Sequence, residues 1–256
     1  MNIPNLYIAE IFNSIQGEGL LTGLPTIFVR TQGCRVGCIF CDTKHSWKFR
    51  EDKKVKAVDV YETIHEFAKD DRSMHICLTG GEPLEQLPAL SWLVEKLVRN
   101  GYKNISMETC GIVRYEKGDR HTTNLDNYVL PDNKHIIDME HNGMFFSVSP
   151  KLVSALKNRF TGVSLSKTYK YWSKIVAEPY RIQFKFVIGE MEDLHALESL
   201  FQLENINADT SRQHFCIQIE ESQLDNPTML KDCLRFVNRF SFVRLLIQQH
   251  KVLELQ

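Results

Sequence analysis

The sequence predicts an α/β fold, an incomplete (partial) TIM-like barrel with parallel strands, and three observations carry that expectation. Strand-like and helix-like segments alternate for six steps in a row, the pattern of a parallel sheet with helical crossovers. Polar or glycine-bearing clusters follow strand after strand, in GCRVGC, TGGEP, ETCG, SPK and QQHK. Sites in barrel-like α/β folds gather at the C-terminal ends of the strands, so these clusters point to one shared pocket there. Fewer than the eight strands of a closed barrel can be counted.

Each element has a local reason. LYIAEIFNSI alternates, QGEGLLTG turns the chain, and TIFVRTQG reads as a strand rich in Thr, Ile, Phe and Val. A cysteine-bearing loop follows, then SWKFREDKKVK, which reads as a solvated face. Val58 to Phe67 has helical periodicity, with Val60, Ile64 and Phe67 on one side. MHICLTGG is a short apolar strand ending in glycines, and Leu87 to Val98 is an amphipathic helix closed by Asn100 and Gly101. NISMETCG is the next strand. Val113 to Gly143, rich in Asn, Asp, His and Gly, reads as an irregular elaboration, a lid or an oligomer contact. MFFSVSPK resumes the strand pattern, followed by a helix over Lys167 to Val176, the strand RIQFKFVIG and a helix over Asp193 to Leu203. HFCIQIE is a strand, Thr228 to Phe240 a helix, and FVRLLIQQHK a last strand with a polar end. No repeat or linker divides the chain, so residues 1–256 read as a single domain with an elaborated loop region around 113–143.

Composition narrows the function classes. A chain of 256 residues buries roughly 70–75% of its unfolded surface and needs no metal or disulfide merely to fold. A formal net charge of −1 gives no support to a broad nucleic-acid-binding surface. No apolar run approaches the ~20 residues of a membrane span, and MNIPNLYIAEIF lacks the basic region and apolar core of a secretory signal. The expected location is the cytoplasm. The seven cysteines are an odd number, which does not suggest an exported disulfide scaffold. Cys77 and Cys216 sit in strand-like runs and Cys233 in a helix-like one, where each reads as a small buried hydrophobe.

Cys34, Cys38 and Cys41 are different. Their spacing, C-x3-C-x2-C, lets three thiolates converge without long loop closure. Structural zinc normally takes four protein ligands, and His45 stands four residues past Cys41, so a Cys3His zinc site is one reading. A [4Fe–4S] cluster held by three cysteines is the other, and it leaves one iron open for an exogenous ligand. TGGEP by itself is a turn that ends a strand, with Pro83 opening a helix.

Taken together, the cysteine triplet and TGGEP (Thr79 to Pro83) resemble the two signatures of the radical S-adenosylmethionine (SAM) superfamily. Further stretches resemble one of its branches, the 7-carboxy-7-deazaguanine synthase family: FNSIQGEG (Phe12 to Gly19), FVRTQGC (Phe28 to Cys34), CDT (Cys41 to Thr43), TGGEPLEQ (Thr79 to Gln86), ETCG (Glu108 to Gly111), SPK (Ser149 to Lys151) and His250-Lys251. They span nearly the whole chain in the family's order. Cys110 stands where members of the family usually carry Asn or Ser, and the loop between ETCG and SPK is longer than in its compact form.

The resemblance implies a radical SAM core with its cluster and pocket at the C-terminal ends of the strands. It implies a lyase acting on 6-carboxy-5,6,7,8-tetrahydropterin. An adenosyl radical would take the hydrogen from C6, the ring would contract, and ammonia would leave to give 7-carboxy-7-deazaguanine, a 7-deazapurine of queuosine biosynthesis. SAM is regenerated in this family. By the same resemblance Cys34, Cys38 and Cys41 hold the [4Fe–4S] cluster and Thr43 is a ligand of Mg2+. Gly80, Gly81 and Glu82 bind the SAM methionine amine, and Glu108, Ser149 and Lys151 meet its ribose and carboxylate. Gln16, Glu18, Arg30 and His250 recognise the substrate: Gln16 and Glu18 can read an aminopyrimidinone edge, and Arg30 can fork onto a carboxylate. Asp42 is either a metal neighbour or a support of its loop. The partners implied are a small pterin, an external electron donor of flavodoxin or ferredoxin type, and a second copy in a homodimer. Two alternatives are kept: an activase of a glycyl-radical enzyme, sharing the cluster logic, and a zinc-binding interaction protein using Cys34, Cys38, Cys41 and His45.

Overall fold

A computed structural model describes residues 3–114, 128–156 and 164–254. The strands are β1 (Asn5–Ile15), β2 (Pro25–Thr31), β3 (Lys54–Lys56), β4 (His75–Gly80), β5 (Ile105–Thr109), β6 (Val113–Arg114), β7 (Tyr128–Val129), β8 (Phe145–Val148), β9 (Ile182–Ile188), β10 (His214–Ile219) and β11 (Val243–Leu246). The helices are α1 (Ala57–Ala68), α2 (Leu87–Arg99), α3 (Asn133–His141), α4 (Val153–Leu156), α5 (Leu165–Ile175), α6 (Met191–Leu203), α7 (Pro227–Arg239) and α8 (Gln249–Val252).

Nine strands form one sheet in the order β11-β10-β9-β8-β5-β4-β2-β1-β3, with β6 and β7 forming a separate pair. From β2 to β11 every neighbouring pair is parallel. Its two ends, β3 and β11, do not meet, so the sheet is an open, partial barrel. The expectation of parallel strands needs one amendment: β1 runs antiparallel to β2 and β3 antiparallel to β1. The cause is connectivity. The QGEGLLTG turn joins β1 to β2 with no room for a crossover helix, and only antiparallel neighbours can be joined so tightly.

Helices cover the outer face. Asn226 caps α7 by accepting from the Thr228 and Met229 amides at 3.1 and 3.3 Å, and Pro227 takes the first helical position, where its missing N–H costs nothing. Ser164 caps α5 through the Lys167 amide at 3.2 Å. On α1 the buried stripe is Ala57, Val60, Tyr61, Ile64 and Ala68. Phe67, expected on that face, sits at its edge and is 37% exposed, because Tyr61 and Ala68 place the stripe's centre on the other side of Ile64. Beneath the helices Phe184 of β9, Phe215 of β10, Phe201 of α6 and Phe236 of α7 form a chain of ring contacts with centroids 5.4–6.1 Å apart.

The 113–143 region is less irregular than its composition suggests. It contains β6, β7 and α3, and residues 115–127 lie outside the described part. Asp132 caps α3 through the Lys134 amide at 2.9 Å, and Ile136 and Met139, spaced i,i+3, bury its inner face completely.

Candidate active site

The inner face of the sheet is polar. Along β9 the residues Ile182, Phe184, Phe186 and Ile188 face the helices, while Gln183 and Lys185 face inward. Inward-facing side chains and the loops after β1, β2, β4, β5, β8, β10 and β11 enclose a cavity of about 560 Å³. All fourteen residues expected to form the site line it: Gln16, Glu18, Arg30, Cys34, Cys38, Cys41, Thr43, Gly80, Gly81, Glu82, Glu108, Ser149, Lys151 and His250.

One wall carries the cysteines. The Cys34 amide donates to the Trp47 carbonyl at 3.0 Å, the Gly33 amide to that of Ser46 at 2.8 Å, and the Ile39 amide to that of Ala155 at 3.0 Å, so backbone bonds anchor the loop on both sides. Trp47 Nε1 donates to Cys41 Sγ at 3.2 Å, and Thr43 Oγ1 lies 3.6 Å from the same sulfur. Burial is the leading cause that raises the Cys34 thiol to about 12, and it raises Cys38 as well. Among the described residues no three His, Cys, Asp or Glu side chains converge closely enough for a single metal ion. His45 turns away to Glu10, 3.3 Å from Oε1, and is mostly exposed. Both facts count against the Cys3His alternative.

The TGGEP loop is fastened to this wall. The Gly81 amide donates to the Thr31 carbonyl at 2.9 Å, and the Glu82 amide to that of Gly33 at 2.7 Å. A Cβ at Gly81 would strike the Gly33 carbonyl and Cys34, which explains the glycine. Both Glu82 oxygens accept bonds: Oε1 from Thr109 Oγ1 at 2.5 Å and the Leu84 amide at 3.1 Å, Oε2 from the Cys110 amide at 2.7 Å. Burial raises Glu82's pKa and these donors act against it. Cys110 contributes both its amide and its thiol to Glu82, and its side chain packs with Val36, Ile112, Ala155 and Leu156. Lys151 lines the cavity half-buried, its Nζ donating to Ser149 Oγ at 3.4 Å. Its burial alone would lower its pKa, but Cys38 and Cys110 turn the shift upward.

The opposite side is an ionic floor that sequence reading missed. Lys185, 3% exposed, donates to Glu108 Oε2 at 2.6 Å and to Glu18 Oε2. Gln248 Nε2 donates to Glu18 Oε1 at 2.5 Å. Gln16 Nε2 reaches Glu108 Oε1 at 3.4 Å, and its own oxygen accepts from the Glu18 amide at 3.1 Å. Ser147 donates to Glu108 at 2.8 Å and accepts from Gln183 at 2.7 Å, while Gln183 accepts from the Leu20 amide at 2.8 Å. Burial would raise Glu18, but the Lys185 ammonium, with Gln248 and His250, outweighs it and holds the carboxyl at about 2. Burial would likewise lower Lys185, and Glu108 and Glu18 raise it instead. These bonds group Glu108 with Gln16 and Glu18 rather than with the TGGEP loop.

Arg30 stands on the rim, its Nε on Glu10 Oε1 at 2.7 Å. His250 packs over Gly17, where a Cβ would collide with its ring. Lys251 reaches Glu221 at 2.9 Å and Asp42 at 3.8 Å, so Asp42 has a cation as neighbour. Lys185 left only a weak trace in the sequence: it stands between Phe184 and Phe186 in RIQFKFVIG, an alternation that Gln183 shares and that ordinarily marks a solvated face.

Comparison with known proteins agrees with this geometry. A family model described as a 4Fe-4S single cluster domain matches residues 15–139. A 7-carboxy-7-deazaguanine synthase of Halobacterium salinarum is 32% identical over 211 residues, 77% of this chain and 69% of that protein. One of Pyrobaculum aerophilum is 30% identical over 197 residues, 76% of this chain and 72% of that protein. The match to the Escherichia coli enzyme of the same name is 39% identical over 121 residues, covering 41% of this chain and 52% of that protein, and the chain likewise spans about half the length of the relatives that match at about 40% identity. A crystal structure of QueE from Escherichia coli superposes with a TM-score of 0.64 at 27% identity, over 96% of this chain and 95% of that one. With a fold, a motif order and relatives that agree over two thirds of their length, the chain belongs to the 7-carboxy-7-deazaguanine synthase family of radical SAM enzymes.

Proposed function

We propose that the protein converts 6-carboxy-5,6,7,8-tetrahydropterin to 7-carboxy-7-deazaguanine and ammonia, using a [4Fe–4S] cluster, SAM and Mg2+. The observation that carries this reading is the convergence of motifs from the whole length of the chain on one cavity of about 560 Å³. The donor set suits the cluster: three thiols line the same cavity. Cys34, Cys38 and Cys41 would hold it, Gly80, Gly81, Glu82, Ser149 and Lys151 would hold SAM, and Thr43 would be the protein ligand of Mg2+. When bound, these groups supply a 5′-deoxyadenosyl radical and a hard cation for a substrate carboxylate.

The chain's own work is orientation. Glu82, lining the cavity and held by Thr109, Leu84 and Cys110, is the acceptor for an ammonium group. Gln16, Glu18 and Glu108 offer acceptors to the donor-rich edge of a pterin. Arg30, held at Nε by Glu10, keeps its two terminal nitrogens for a carboxylate. His250, over Gly17 and lining the cavity, is a further group for the substrate. An acidic one-electron donor of flavodoxin or ferredoxin type is the proposed reductant, a homodimer the proposed assembly and the cytoplasm the proposed location, with neither nucleic acid nor a membrane as a direct partner.

Anaerobic reconstitution with iron and sulfide tests this. The expected outcome is about four irons per chain, a SAM-induced change in the electron paramagnetic resonance of the reduced cluster, and deazapurine absorbance on adding the carboxylated tetrahydropterin. A colourless protein with one zinc, or a cluster indifferent to SAM, would overturn it.

A further inference from the structure

We infer that Lys185 is a positioning residue of this site: it holds Glu18 and Glu108 together, both as carboxylates, as paired acceptors in the cavity floor. The inference rests on the proposed function for the identity of the ligand, but its geometry is independent of it. Lys185 sits in the middle of β9, 3% exposed, and its ammonium bonds to both carboxylates, Glu108 at 2.6 Å and Glu18 more closely still. The two acids come from distant parts of the chain, the turn after β1 and the strand β5. Nothing but this cation brings their Oε2 atoms onto one atom.

The arrangement leaves one negative charge in excess. Two carboxylates share one ammonium, so the floor is anionic while each acid keeps Oε1 for other partners: Gln248 on Glu18 and Gln16 on Glu108. Such a surface accepts hydrogen bonds and donates few, and it suits a ligand edge rich in N–H groups. Ser147 and Gln183 extend the same chain to the Leu20 amide, tying the β1–β2 turn to the sheet. Without Lys185, two like charges would face each other in a buried cavity, and one would be expected to take up a proton. The other ionisable groups that act on the trio are Cys77 of β4, Cys216 of β10, Lys151 after β8, and His250 and Lys251 of α8, while Arg30 of β2 and Arg244 of β11 act on the two thiols. Burial raises both thiols to about 12, so they remain neutral. Each of the cations stands farther off than Lys185, with no bond to either acid within 4.0 Å among the described residues, and so none replaces it.

The experiment uses full-length, reconstituted wild type, Lys185→Gln and Lys185→Arg, labelled with [5-13C]glutamate. The Glu18 and Glu108 carboxyl signals are assigned with Glu18→Gln and Glu108→Gln, and in the wild type that of Glu18 should stay ionised below pH 5. In Lys185→Gln one of them should titrate near or above neutrality, and Lys185→Arg should restore the low value. With the pterin, Lys185→Gln should raise KM about 10- to 100-fold, the loss of a charge-assisted bond, with a kcat/KM that climbs toward alkaline pH where wild type is flat. Its SAM-induced cluster signal should match wild type. If Lys185→Gln cannot be purified, the pair Lys185→Gln/Glu108→Gln removes one acid with the cation, and Glu18 should titrate near neutrality in it. Carboxylates that stay ionised below pH 5 in either variant would overturn the inference, as would a wild-type KM in Lys185→Gln. A wild type that ignores SAM or the pterin sinks the proposed reaction instead, while the carboxylate titration still decides the role of Lys185.

Discussion

Phe184 and Lys185 are neighbours in β9, 0% and 3% exposed, yet they occupy opposite chemical worlds. Phe184 points outward into a stack of rings, 5.5 Å from Phe215 and 5.1 Å from Tyr169. Lys185 points inward to two carboxylates. The contrast extends across the sheet: the outer face is a dispersive core shared with helices, the inner face a chain of polar groups that stops at the cavity. The two faces therefore fail differently. Loss of an outer side chain leaves a void and costs stability, whereas loss of an inner one leaves an unpaired charge or donor and costs the site its geometry.

The largest effect expected on stability comes from the outer face. Phe215 is 1% exposed and touches Phe184, Phe201 and Phe242 with centroids 5.4–5.8 Å apart. Phe215→Ala should destabilise the fold by about 3–5 kcal/mol, read as a lower urea midpoint with an unchanged slope. Folded protein should keep its KM. A large change in KM with little loss of stability would erase the distinction between the faces.

That distinction also explains what was legible in the sequence. The alternation of strands and helices could be read because outer-face residues recur with period 2 in strands and 3.6 in helices. Helix α3 was hidden: of its nine residues NKHIIDMEH only three are apolar, and Asp132 as its cap is one polar residue among many. The direction of β1 was legible only in the QGEGLLTG turn, because alternation by itself does not say whether neighbours run parallel. The motif residues were readable where chemistry demands rare types at fixed spacing, cysteines for thiolate ligands and glycines for close approach. Lys185, Gln183, Ser147 and Gln248 were not. A polar residue alternating with apolar ones ordinarily marks a solvated face, and only the closing of the sheet around a cavity turns that face inward.

The inner face makes its own prediction at the far end from the cavity. His75 is 5% exposed, bonded at Nδ1 to Thr26 Oγ1 at 2.7 Å and at Nε2 to Ser106 Oγ at 2.9 Å. Burial lowers its pKa to about 4 from an ordinary 6.5. Between those values the unfolded chain binds the extra proton, so stability rises with pH through that window and falls as pH drops from 6.5 toward 4. The loss should reach roughly 3 kcal/mol at pH 4. Urea titrations of wild type and His75→Gln at a series of pH values isolate this contribution, because other acid-labile groups are common to both. Parallel pH profiles for the two proteins would mean that His75 takes up its proton in the folded state, and that this end of the inner face is wetter than its burial implies.

The smallest effect separates two tryptophans. Trp172 is fully buried and donates to the Gly111 carbonyl at 3.0 Å, an indole used for packing with its polar atom satisfied by backbone. Trp47 is half-buried at the cavity wall and donates to Cys41 Sγ at 3.2 Å. With Cys41 as the proposed cluster ligand, a donor on its sulfur stabilises the reduced, more negative form and so raises the reduction potential. Trp47→Phe keeps most of the ring and removes the N–H. Taking about 1 kcal/mol for the bond, the reconstituted variant should show a midpoint lower by roughly 40 mV for a one-electron couple, measured by redox titration of the reduced cluster's paramagnetic signal. Trp172→Phe should leave the midpoint where it is and lower stability instead, since it orphans a backbone carbonyl and removes no donor from a sulfur. A midpoint that moves equally in both variants would assign the shift to general loosening of the wall, and the Trp47 hydrogen bond would lose its separate role.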